Sequence, residues 1–305
     1  MSKKRNRGGL YYVIHNWDLY ILLLPGILLT ILFKYVPIYG IIIAFKDFKI
    51  FDGFWGSPWV GLKHFNRVFS DSYFYLVLWN SFIISVYKLV WIFPMPIILS
   101  ILLNEVRNIY FKRTIQTVVY LPHFLSWAVV YGIFYALLSN DGPFNDILAM
   151  LGMKRIPFFV TPRVFRGVLV ATDAWKSVGW GTIIYLAALT SIDPELYDSS
   201  KIDGANKFQQ VIYITLPGIM STVIVMLVLR LSSLLNAGFE QIFIMYNPTV
   251  YNVADVIDTY VYRTGLGRQE FSYASAVGLF NSVVSFILII LSNALARRYS
   301  GRSIW

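Results

Sequence analysis

The sequence predicts an all-α, polytopic membrane protein with six transmembrane helices, and three observations carry that prediction. Hydrophobic residues make up 57% of the 305-residue chain and charged residues only 14%, against about 25% charged in an average soluble protein. Apolar runs long enough to cross a bilayer as helices, about 20 residues each, recur along the chain. The basic residues gather in short tails and loops beside those runs rather than in one stripe, so the net charge of +10 reads as anchoring on the cytoplasmic side and not as a nucleic-acid surface. Cysteine is absent, which excludes disulfide scaffolds, thiolate metal sites and cysteine nucleophiles.

In chain order, a tail over 1–18 carries Lys3, Lys4, Arg5 and Arg7 and leads into a first apolar run over 19–45, interrupted at Lys34 and Pro37. That run is longer than the roughly 7–15 residues of a signal core and no small-x-small cleavage site follows it, so it reads as an uncleaved span. An outer loop over 46–74 offers Trp55, Trp59 and Tyr73 to an aromatic belt. The second span, 74–103, contains Pro94 and Pro96 and is expected to be kinked or unwound there. A basic turn with Arg107, Lys112 and Arg113 precedes a third span over 114–138 that includes Tyr120-Leu121-Pro122. Spans four to six fall at 166–189, 216–235 and 274–296, ahead of a tail over 297–305 holding Arg297, Arg298 and Arg302. Domain organisation is therefore one six-helix membrane domain over 19–296 between two short tails. The higher density of lysine and arginine in the short loops places both termini, and the polar loop over 191–217, on the cytoplasmic side.

That loop is the long polar segment between two membrane-length runs. Asp193 can cap a helix and Pro194 suits its first position, giving a short helix over 194–202. Gly204 permits a positive φ at a sharp bend. Asp203 is then expected to cap a second helix from Ala205, with Phe208, Val211, Ile212 and Thr215 as its apolar stripe. Two rigid segments at a glycine elbow suit the reception of a push from a soluble partner; an ordinary amphipathic loop is the plainer alternative.

Lys34, Lys88, Asp173, Lys176 and Arg230 fall inside predicted spans, where a charge costs on the order of 2.5–3.5 kcal/mol or more. Asp173 and Lys176 are three apart on one helix and are expected to pair, whereas Lys88 has no partner close in sequence. Arg230, with Ser232, Ser233 and Asn236 following, suits a hydrated path. Trp127, Tyr131, Trp175, Trp180, Phe239 and Tyr246 offer faces on which sugar rings stack, though each can equally be packing. No GxxxxGK[ST] phosphate loop and no HExxH occurs, and His15, His64 and His123 are far apart, so nucleotide, metal and catalytic readings find no support.

The segment Asp198-Ser199-Ser200-Lys201-Ile202-Asp203-Gly204-Ala205, running on to Leu216-Pro217, resembles the EAA loop of permease subunits in binding-protein-dependent ABC importers. Asp198-Ser199-Ser200 stands where Glu-Ala-Ala is usual, keeping the acidic charge and small side chains. Residues 34–45, 102–105, 116–122, 184–188, 258–263 and 276–280 are similar to the sugar-type branch, particularly its complex and acidic oligosaccharide importers. The resemblance implies the type I importer permease fold in a bacterial cytoplasmic membrane. It also implies a second homologous permease, two ATP-binding cassette ATPase subunits that hold ATP and magnesium, and an extracellular solute-binding protein delivering oligosaccharide. It implies no cofactor in this chain, and it places Leu196, Tyr197, Asp198, Ser199, Ser200, Asp203, Gly204 and Ala205 at the ATPase contact. Lys88, Trp127, Tyr131, Asp173, Lys176, Trp180, Arg230 and Asn236 are the candidates for the translocation path. A different ABC substrate, peptide or amino acid, and a self-sufficient ion-coupled carrier are the competing readings.

Overall fold

Backbone amides in lipid must find partners within the chain, and helices provide them. The computed structural model describes residues 15–300, so the tail residues Lys3, Lys4, Arg5, Arg7 and Arg302 lie outside the described residues. Among the described residues the only extended pairing is an isolated bridge between Lys46 and Trp59.

Helix α1 (Trp17–Thr30) continues through a π turn (Ile31–Tyr35) and a 3-10 stretch (Val36–Phe45), the changes of winding falling around Lys34 and Pro37. None of its most apolar window is buried against the rest of the chain. After α2 (Lys63–Ser70) comes α3 (Ser72–Ile92), capped by Asp71, which accepts the Tyr73 amide at 2.9 Å. Helix α4 (Pro94–Glu105) follows after Phe93, which itself keeps helical torsions of φ −58° and ψ −40°. Of the kink or unwinding expected at Pro94 and Pro96, the structure shows an interruption of the helix at Phe93 but no unwound turn, because both prolines sit in the first turn of α4, where a missing N–H costs least.

The expected continuous third span is broken. Helix α5 (Ile109–Tyr120) ends in a 3-10 turn (Leu121–Phe124), and α6 (Trp127–Leu138) starts afresh with Ser126 as its cap. The segments Ile109–Phe124 and Trp127–Met150 meet at 108°. Pro122 lacks a donor and Ser126 offers a new N-terminus, so the ladder restarts in another direction. Helix α7 (Pro143–Met150) precedes the 28-residue α8 (Pro162–Leu189). Beyond it lie α9 (Pro194–Ile202), α10 (Lys207–Ser232), α11 (Phe239–Met245), α12 (Ile257–Tyr262) and α13 (Phe271–Ser300).

Four stretches are long and apolar enough to cross a membrane: Trp17–Phe45, Ser72–Glu105, Lys207–Ser232 and Phe271–Arg298. The bent pair makes a fifth. Helix α8 is about 42 Å long by its rise and so can also span, but Asp173 and Lys176 at its middle lower its apolar character. Six membrane-length segments are compatible with this count.

Helix α8 is the centre of the bundle, packing on α3, α4, α5 and α10. Gly179 lets it approach α5 backbone to backbone, since a Cβ there would lie 1.8 Å from the Val119 carbonyl oxygen. Around it gather Ile84, Val130, Phe165, Leu169 and Ile242 as one buried cluster. A second cluster of Val68, Phe74, Ile257, Tyr273 and Val277 joins α13 to α2, α3 and α12. Trp55 and Trp59 are exposed, as belt residues are. Tyr73, expected with them, instead turns inward and donates its hydroxyl to Asp255 at 2.7 Å.

Candidate functional site

Two features of this bundle can do something: the projecting loop between α8 and α10, and the polar groups between α3, α8 and α10. In the loop, Asp193 accepts the Glu195 amide at 3.0 Å and Pro194 opens α9, which ends at Ile202. Gly204 turns the chain with φ +80° and nothing within 4 Å of where a Cβ would sit, so its role is conformational and not steric. The next helix departs from expectation. It starts at Lys207 rather than Ala205, and its cap is Asn206 rather than Asp203, through a reciprocal pair of bonds with Gln209 at 2.8 and 2.9 Å. Asp203 closes α9 instead. The sequence signal was there, because Asn206 followed three residues later by Gln209 is a capping box.

This second helix is not a separate knob. It passes through a π turn (Val211–Thr215) into the membrane-length part of α10 without a break. Its expected apolar stripe divides: Phe208 is 73% exposed, while Thr215 is buried and meets the Tyr197 hydroxyl at 3.0 Å. The Gln210 amide donates to Ser200 at 2.9 Å, and Lys207 pairs with Glu105 of α4 at 2.6 Å. Helix α9 is thus fastened to the foot of α10, with Leu196, Ile202 and Phe208 left facing outward. Asp198 pairs locally with Lys201 at 2.8 Å, on the exposed side.

Within the bundle the expected Asp173–Lys176 pair does not form. Asp173 pairs with Lys88 of α3 at 2.9 Å, so Lys88 does have a partner within this chain. The same ammonium donates to the Ala237 carbonyl at 2.8 Å and to Gln241 Oε1. Gln241 in turn donates to the Leu169 carbonyl and the Thr172 hydroxyl, both at 2.7 Å. Lys176 points the other way, into the break between α5 and α6, where it donates to the carbonyls of His123 at 2.8 Å and of Leu125. Trp127 lies 5.5 Å from that ammonium, and Tyr131 packs edge-on to Phe159; both sit against the buried cluster around α8. Arg230 and Asn236 line a polar cavity with Lys88 and Asp173. Arg230 also lines a second cavity, with His123 and Trp180, whose rings are stacked. Lys34 is exposed on the first span.

A third arrangement escaped sequence reasoning. Asp255, fully buried, is bonded by Arg263, by Tyr73 at 2.7 Å and by Thr259 at 2.8 Å. Beside it Asp71 accepts the hydroxyls of Tyr260 and Tyr273, each at 2.9 Å. Burial opposes ionisation of Asp71, but those hydroxyls and the Tyr73 amide outweigh it and hold the carboxyl below its usual range. These bonds tie the segment after α10 to the start of α3. The residues lie far apart in sequence and carry no periodic signature.

A bundle of membrane-length helices around a charged, water-accessible interior, with a stiff loop projecting from one end, defines a polytopic membrane permease. The chain belongs to the family described as binding-protein-dependent transport system inner membrane component, matched over residues 92–301. It is 42% identical to the polygalacturonan/rhamnogalacturonan transport system permease protein YteP of Bacillus subtilis (strain 168), across 100% of this chain and 95% of that one. It is 39% identical, with a TM-score of 0.88, to a chain in the crystal structure of a bacterial ABC transporter involved in the import of the acidic polysaccharide alginate, covering 95% of this chain and 99% of that one. The alginate transporter in complex with an alginate pentasaccharide-bound periplasmic protein gives 38% identity and a TM-score of 0.88, covering 96% and 99%. The fold is therefore that of a type I ABC importer permease, and the expected sugar-type branch is the right one.

Proposed function

We propose that this chain is the permease subunit of an ATP-driven importer that carries an acidic oligosaccharide inward across a bacterial cytoplasmic membrane, with both termini on the cytoplasmic side. It works beside a second, homologous permease, two ATPase subunits and an extracellular solute-binding protein. ATP and magnesium belong to the ATPase pair; this chain holds no cofactor and performs no chemistry. The observation that carries the reading is the loop over 191–217, in which a capped helix, the Gly204 bend and the foot of α10 form one stiff unit continuous with a membrane helix. Leu196, Tyr197, Asp198, Ser199, Ser200, Asp203, Gly204 and Ala205 are the residues proposed to meet the ATPase. Closing of the ATPase pair on ATP displaces α9, α10 follows, and the passage opens outward to take solute from the binding protein. The uronate-rich polymers in the relatives' names support the acidic class of solute.

Reconstitution in proteoliposomes tests this. The four-subunit assembly with its binding protein is expected to take up an oligogalacturonide only with ATP, and this chain alone is expected to move nothing. Gly204→Val is expected to leave the assembly intact and cut uptake at least about tenfold, because a β-branched residue at φ +80° costs roughly 1–3 kcal/mol and shifts the bend. Uptake by the chain alone on an ion gradient, or full uptake by the variant, would refute the proposal.

A further inference from the structure

Helix α8 turns two unlike faces to its surroundings. Asp173 borders the polar cavity beside α3, whereas Ala171, two residues earlier and so about 160° round the helix, borders an apolar groove on the other side. Phe134 and Leu138 of α6 and Phe144 of α7 form the walls of this groove, and α8 contributes Gly167 and Ala171, both exposed. A Cβ added at Gly167 would meet no atom within 4 Å, so the groove is open there. Its volume is about 670 Å³, inside the range of about 300–1,000 Å³ common for small-ligand pockets.

The wall that α7 supplies is held in place. Asn145, fully buried, donates to the Ser139 carbonyl at 2.8 Å and the Ile156 carbonyl at 2.9 Å, and accepts the Ile156 amide at 2.8 Å. Arg155 is spent on the same segment, pairing with Asp146 at 2.7 Å and reaching the Asn140 carbonyl. Arg163 is not spent. It lines the groove at the second position of α8, is exposed, and makes no ion pair among the described residues. From Arg163 the groove follows α8 to Ala171, about 12 Å further along the helix. A cation at the end of a membrane-length helix with an apolar trough running inward from it matches one kind of molecule, an anionic head carrying an acyl chain. The guanidinium fork fits a phosphate in two parallel bonds, and walls already fixed lower the cost of ordering the chain. A zwitterionic lipid fits less well, because its own ammonium competes for the phosphate and sets a second positive charge beside Arg163. We propose that this groove is a binding site for one anionic phospholipid, phosphatidylglycerol in kind, with its phosphate on Arg163 and an acyl chain between α6, α7 and α8. On the orientation proposed above the lipid sits in the outer leaflet, and the site is independent of which solute is carried.

The test uses the assembled importer in phosphatidylcholine vesicles. The probes are phosphatidylglycerol and phosphatidylcholine bearing the same mid-chain diazirine, each at trace level. After photolysis, peptide mass spectrometry reads the labelling of residues 134–171, divided by the same probe's labelling of the other spans. Wild type is expected to show about fivefold more labelling there by the phosphatidylglycerol probe, the scale of one basic side chain acting on an anionic lipid. Arg163→Gln is expected to bring that ratio to about one while labelling of the other spans stays the same. Gly167→Leu keeps the charge but fills the groove, and should remove the excess as well. Equal labelling by the two probes in wild type would mean ordinary surrounding lipid only and would overturn the proposal. So would an excess that survives Arg163→Gln, or one that survives Gly167→Leu and so needs no groove. Residues 134–171 left unlabelled by both probes would show that another subunit covers the groove, and would overturn it too.

Discussion

Lys88 and Asp173 show what a charge inside a bundle requires. The cost of burying an ion marks both residues as significant from the sequence alone, but that cost does not name the partner. The near neighbour Lys176 looks like the natural mate of Asp173, three residues along the same helix. The actual mate comes from another helix, because side-chain direction and interhelical packing decide which groups meet. Lys88→Met strands the Asp173 carboxylate and is expected to destabilise the protein by about 3–5 kcal/mol; Asp173→Leu should cost a similar amount by stranding the ammonium. The double variant should recover most of that loss, and thermal unfolding in detergent measures all three. Additive losses would show that the two side chains do not act on each other.

At the level of elements, α9 was legible to the residue because its signals are local: Asp193 and Pro194 at its start, Asp203-Gly204 at its end. The break between α5 and α6 was not. Pro122 was visible, yet prolines also occur where helical torsions carry on, as at Phe93 before Pro94 and Pro96. What decides the outcome at Pro122 is a donor from elsewhere, the Lys176 ammonium on the freed carbonyls of His123 and Leu125. Lys176→Met should leave these carbonyls unsatisfied, at a cost of about 1–3 kcal/mol. The expected result is a lower unfolding temperature together with faster amide exchange confined to residues around 121–126. An exchange pattern identical to wild type would remove Lys176 from its role in holding the bend.

For the whole molecule, composition and the spacing of apolar runs were enough to give the class, and the loop over 191–217 enough to give the family. The segment around Asp255 and Arg263 was not legible, since buried polar networks depend on contacts between distant parts of the chain. Orientation is open to a direct test, because a chain without cysteine accepts single reporters cleanly. Ser199→Cys on the projecting loop should react with a membrane-impermeant maleimide only after permeabilisation, and Asp141→Cys, whose native side chain is 95% exposed, should react in intact cells. The opposite pattern would invert the topology. One consequence follows from the unbroken course of α10. From Lys207 to Arg230 it forms a rod about 35 Å long, so a pivot of roughly 10° at its foot sweeps the far end through an arc of about 6 Å. An arc of that size exceeds the reach of any hydrogen bond, so the proposed stroke at the foot is large enough to break a solute's grip at the far end.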